Sequence, residues 1–90
     1  MGKWIIKFIP RTERKFLKLS PDIQKSVLTY LYNQVLRLEH PKLLGKALKG
    51  NKKGLWRYRI NKFRIICKLE ENQLIILVVA VAKRDVVYED

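Results

Sequence analysis

The sequence predicts a small α+β domain of order β-α-α-β-β-β, a helical hairpin packed on one face of a small, mainly antiparallel sheet. Three observations carry that expectation. Ile23, Val27, Leu31, Val35 and Leu38 recur at helical spacing and mark one buried stripe. Apolar and basic residues alternate through Leu55–Ile60 and Phe63–Leu69, the period of half-buried strands. The chain has 90 residues with 48% apolar content, enough for one compact core, so residues 1–90 are read as a single domain.

Each element has a local reason. In Lys3–Ile9, Trp4, Ile6 and Phe8 alternate with Ile5 and Lys7, which gives a first strand that Pro10 ends. Thr12 is expected to cap a short helix over Glu13–Leu19. Ser20-Pro21 restarts the helix, since serine caps and proline suits the first helical position. Asp22 adds negative charge to that first turn. The second helix is expected to run to about Glu39, where His40-Pro41 stops it. Pro41–Gly54 reads as a solvated basic connector. Three strands follow, Leu55–Ile60, Phe63–Leu69 and Gln73–Ala82, joined by turns at Asn61-Lys62 and Glu71-Asn72. Asparagine tolerates the left-handed backbone of tight hairpins. Leu74–Ala82 is apolar on both faces and belongs inside the sheet.

Charge narrows the function. Twenty Lys and Arg against eight Asp and Glu give a formal +12, which implies a polyanionic partner. The longest uncharged apolar run, Leu74–Ala82, is far short of the ~20 residues a spanning helix needs. The N-terminus lacks a signal-peptide core, and Ile6 stands where a myristoylation motif wants Ser or Thr. A cytoplasmic location without membrane attachment is expected. Cys67 is the single cysteine and reads as a buried small hydrophobe; His40, the single histidine, reads as an exposed loop residue. Neither metal nor cofactor is expected from so few ligand-type residues.

The strand pair around Asn61-Lys62 carries the sharpest signal. A two-residue turn pairs Ile60 with Phe63, Arg59 with Arg64, Tyr58 with Ile65 and Arg57 with Ile66. Cross-strand partners share a face. One face then holds Trp56, Tyr58, Ile60, Phe63, Ile65 and Cys67, a core; the other gathers Arg57, Arg59 and Arg64. Like charges directly opposite one another destabilise a sheet. Lysine would serve solubility as well, whereas arginine's planar fork matches phosphate oxygens. Continuing the register through Glu71-Asn72 sets Val79, Val81 and Lys83 on the arginine face and leaves the direction of Arg84 open. Tyr88 reads equally as a terminal packing anchor.

Leu48-Lys49-Gly50, Leu55-Trp56-Arg57-Tyr58-Arg59-Ile60, Phe63-Arg64-Ile65-Ile66 and Lys83-Arg84-Asp85-Val86-Val87-Tyr88 together resemble the RelE/ParE superfamily of toxin–antitoxin systems. Order and spacing carry the likeness rather than any one motif. The resemblance to the RelE branch implies a ribosome-dependent endonuclease that cuts mRNA in the ribosomal A site without a metal. It implies catalytic roles for Arg57, Arg59, Arg64, Arg84 and Tyr88, with RNA contacts from Lys46, Lys49, Lys52, Lys53 and Lys83. It also implies an acidic antitoxin that masks the basic surface. Two departures matter. Arg57 and Arg59 stand where the best-known members carry lysine, and Lys83 replaces the histidine many relatives place before the arginine. Arginine stays protonated in proteins, so it clamps phosphate without serving as a base. A ParE-like DNA gyrase inhibitor and a non-catalytic RNA- or ribosome-binding relative are the alternatives.

Overall fold

A computed structural model describes residues 3–50 and 54–83. Strand β1 covers Ile5–Phe8, and Pro10 both ends it and opens helix α1, Pro10–Phe16. The helix thus starts earlier than Thr12, which does not cap it. Instead Thr12 is buried, and its Oγ1 donates to the Val79 carbonyl at 2.6 Å. Helix α2, Pro21–Tyr30, begins as expected: Ser20 Oγ accepts from the Ile23 N–H at 3.3 Å.

From Leu31 to Val35 the helix widens, and the Leu36 N–H reaches back to the Leu31 carbonyl at 3.0 Å. Steps of four residues overshoot a helical turn by about 40° each, so a regular helix would swing the apolar stripe sideways. The wider turn holds both Leu31 and Val35 in the core, at 0% and 1% exposure. Regular helix therefore stops well before Glu39.

The connector after the helices is more structured than its composition suggests. His40 Nδ1 accepts from the Lys42 N–H at 3.1 Å and caps a short 3₁₀ turn, Pro41–Leu43. His40 packs edge-on against Trp4, and its Nε2 meets Glu71 at 3.2 Å. It is a working cap rather than a free loop residue. Lys42 adds a 3.1 Å ion pair to the same carboxylate, so the turn at Glu71 is tied to this connector. Both contacts hold the Glu71 carboxyl below its ordinary pKa, the Lys42 bond first. Next comes a two-residue strand, β2, Lys46–Ala47, which a reading of the segment as plain loop missed.

Among the described residues, strands β3, Leu55–Ile60, β4, Phe63–Glu70, and β5, Ile75–Lys83, complete a five-stranded sheet of order β1-β5-β4-β3-β2. Only β1 with β5 is parallel. Both helices contribute to one core: Phe16, Val27, Leu31 and Val35 meet Tyr58, Ile65, Cys67, Ile76 and Val78. Burial pushes the Cys67 thiol pKa well up, consistent with an inert packing residue. The β4–β5 connection spans Glu71–Leu74 rather than the two residues expected. No described helix is long and apolar enough to cross a membrane.

Candidate functional site

The β3–β4 hairpin has the register that its alternation and two-residue turn imply. Arg57 faces Ile66, Tyr58 faces Ile65, Arg59 faces Arg64 and Ile60 faces Phe63. Asn61 supplies the turn's positive φ, 53°. Arg57, Arg59 and Arg64 therefore lie on the sheet face away from the helices. Arg59 is exposed, whereas Arg57 and Arg64 are half-buried. Among the described residues the buried Arg64 Nε has no hydrogen-bond partner. An unpaired buried donor costs stability, on the order of 1–3 kcal/mol, and an incoming anion would satisfy it.

These arginines rise from an apolar bed. Ile66 is buried beneath Leu48 from the connector, with Leu55, Val79, Ala80 and Ala82 around them. Charge above such a bed is less well screened than charge in open water, so it attracts an anion more strongly.

At the outer edge of β3 the chain forms a cleft of about 220 Å³ lined by Tyr30, Gly45, Lys46, Arg57 and Arg59. Lys46 pairs with Arg57 across β2 and β3. The Trp56 indole N–H donates to the Leu44 carbonyl at 2.7 Å and fixes the chain just before β2. Gly45 then lies directly on β3: a Cβ there would come within 2.5 Å of the Arg57 carbonyl oxygen and 2.6 Å of the Trp56 Nε1. Its φ of +79° also favours glycine. Tyr30 meets Tyr58 edge to face at 5.9 Å. The Tyr58 hydroxyl donates to the Pro41 carbonyl at 2.7 Å, and burial raises the pKa of both tyrosines.

The expected site residues divide accordingly. Arg57, Arg59, Arg64 and Lys46 come together, while Lys49 is exposed beside the buried Leu48. Lys83 pairs with Phe63 and Val81 with Ile65, so both fall on the helix-covered face, opposite to expectation. The cause is a bulge: Ile66 pairs with Ala80 but Cys67 with Val78, and Val79 is the extra residue that reverses the alternation. Its carbonyl is the one Thr12 binds. Lys52, Lys53, Arg84 and Tyr88 lie outside the described residues. Tyr30 and Gly45 were missed: Tyr30 sits beside the apolar stripe rather than in it, and Gly45 stands in a lysine-rich stretch. No three His, Cys, Asp or Glu side chains gather among the described residues.

A family model described as the ParE toxin of type II toxin–antitoxin systems, parDE, matches residues 6–88. The chain belongs to the RelE/ParE superfamily. Solved structures agree on the fold. The RelBE2 toxin–antitoxin complex of Mycobacterium tuberculosis superposes with a TM-score of 0.81 at 21% identity, over 93% of this chain and 94% of that one. The isolated Escherichia coli RelE toxin gives 0.70 at 13% identity, over 91% and 84%. The YoeB-YefM complex of Staphylococcus aureus gives 0.66 at 20% identity, over 99% and 100%. A search of curated proteins found no match. The protein is thus the toxin of a toxin–antitoxin pair.

Proposed function

We propose that the toxin is a ribosome-dependent mRNA endonuclease that needs no metal. The observation that carries this reading is the trio Arg57, Arg59 and Arg64 on the open sheet face, with the Arg64 Nε buried and unpartnered among the described residues. The RNA 2′-hydroxyl attacks the adjacent phosphate, the 2′-O–P bond forms and the P–O5′ bond breaks. The products are a 2′,3′-cyclic phosphate and a 5′-hydroxyl, with the proton lost from the 2′-oxygen balanced by one gained at the 5′-oxygen. The three arginines stabilise the dianionic phosphorane, since cations fixed before reaction need no reorganisation. The family resemblance assigns Arg84 to the charge on the leaving oxygen and Tyr88 to orienting the nucleotide or sharing in proton transfer. Lys46 and Lys49 steer the strand, together with Lys52 and Lys53. The partners are mRNA in the ribosomal A site, the ribosome and an acidic antitoxin whose charge complements the formal +12.

A second reading, inhibition of DNA gyrase through protein contact, draws support from the ParE description of the matching family. The arginine cluster argues against it, because a contact inhibitor has no need of a phosphate clamp. One paired experiment separates the two. A defined mRNA is translated with added toxin and its new 5′ ends are mapped, while gyrase supercoiling is followed in parallel. New ends in register with codons are expected. Intact mRNA together with blocked supercoiling replaces the nuclease reading with the gyrase one.

A further inference from the structure

We propose that the cleft at the outer edge of β3 holds a second phosphate of the RNA strand, beside the one being cut, with Tyr30 and Lys46 as its binding residues. The inference rests on the RNA reading above and extends it to residues outside the arginine trio. Arg64 lies on β4 and does not line the cleft, whereas Arg57 and Arg59 reach it. The cations therefore make two neighbouring anion positions: one between Arg59 and Arg64, the other among Lys46, Arg57 and Tyr30. Neighbouring strands lie about 4.8 Å apart, so a single strand crossing β4 towards the sheet edge passes both.

The lining selects a phosphate rather than a base. Lysine and arginine only donate hydrogen bonds, and among the described residues no carboxylate lines the cleft. A base edge presents donors as well as acceptors, whereas a phosphodiester presents acceptors alone. Size agrees: about 220 Å³ is below the roughly 300–1,000 Å³ of sites that enclose drug-sized ligands. Tyr30 is fixed for such a task. Its ring is held against Tyr58, yet its hydroxyl bonds no described residue, whereas the hydroxyl of Tyr58 is spent on Pro41. Burial keeps the Tyr30 phenol protonated and hence a donor. The missing Cβ at Gly45 lets the chain lie against β3 and bring Lys46 alongside Arg57.

The test uses a fluorescent 2′-O-methyl RNA trinucleotide, which cannot be cut because its nucleophile is blocked. A second version carries a neutral methylphosphonate in place of one phosphate at a time. Binding is read by anisotropy for the full chain, Tyr30→Phe and Lys46→Ala. Tyr30→Phe keeps the ring, and exposed Lys46 is outside the core, so melting temperatures should match. Both variants should bind the all-phosphate strand about tenfold more weakly, the scale of a hydrogen bond to a charged group. Lys46→Ala should also lower the salt slope by about 0.7, the value for one single-strand phosphate contact. With the methylphosphonate at the second position, wild type and Tyr30→Phe should bind alike. Equal binding of the all-phosphate strand by wild type and both variants overturns the second site and leaves the RNA reading standing. A folded wild type that binds no strand, either free or presented as the A-site codon on a ribosome, overturns the RNA reading and this inference with it.

Discussion

The two faces of the β3–β4 hairpin come from one alternating stretch of chain and do opposite work. On the helix side Tyr58, Ile65 and Cys67 are each 0% exposed and locked against both helices. On the open side Arg57, Arg59 and Arg64 surround Ile66, which Leu48 covers from the connector. One face holds the fold together; the other keeps like charges close and a donor unsatisfied. The contrast teaches that the second arrangement is tolerated because it is built on the first. A hairpin alone could not keep Arg59 opposite Arg64, whereas the packed core behind them fixes the register regardless of their repulsion.

The comparison breaks if either face behaves like the other. The largest effect is expected from Ile65→Ala, which opens a cavity in the core and should cost about 2–5 kcal/mol in a denaturant titration. An unchanged midpoint would mean that the helices do not pack on this face. Arg64→Met keeps the stem and removes the charge. Its midpoint should stay level or rise slightly, since an unsatisfied donor is lost, while mRNA cutting should fall roughly 10²–10³-fold, as for loss of one stabiliser of transition-state charge. A large drop in stability would instead make Arg64 a structural residue.

Smaller changes sharpen the picture. Thr12→Val deprives the Val79 carbonyl of its partner at the bulge and should cost about 1–3 kcal/mol. Amide exchange should rise in β5 around Val79; exchange unaltered there would detach the bulge from α1. The smallest effect belongs to Glu71→Gln, at an exposed network. Glu71 has a lowered pKa in the fold, so its pairing stabilises above the ordinary value near 4.5 and is lost as pH falls through the lowered one. The melting-temperature gap between wild type and Glu71→Gln should therefore be small at pH 7 and close in acid. A gap that persists at pH 2 would point to packing rather than charge.

Much of this was legible in the chain, and the exceptions have physical causes. The hairpin could be read residue by residue because a slip of one position would bury arginine and expose Tyr58. Leu74–Ala82 offers no such penalty: apolar on both sides, it can slip by one without moving a charge into the core. The bulge at Val79 and the resulting placement of Lys83 were therefore invisible. Two-residue β2 has no period to detect, and it exists because Gly45 fits against β3.

By itself the sequence determined the fold class, the cap at Ser20, the buried stripe of α2 and the gathering of Arg57, Arg59 and Arg64 on one face. Each follows from short-range periodicity and the stereochemistry of single residues. Only the tertiary structure decided that Tyr30 joins those arginines, that Thr12 binds a sheet carbonyl, and that Lys83 turns away from them. Those outcomes depend on contacts between segments far apart in the chain, such as Thr12 with Val79 and Tyr30 with Tyr58. There the deciding quantity is how surfaces fit once packed, which no local pattern encodes.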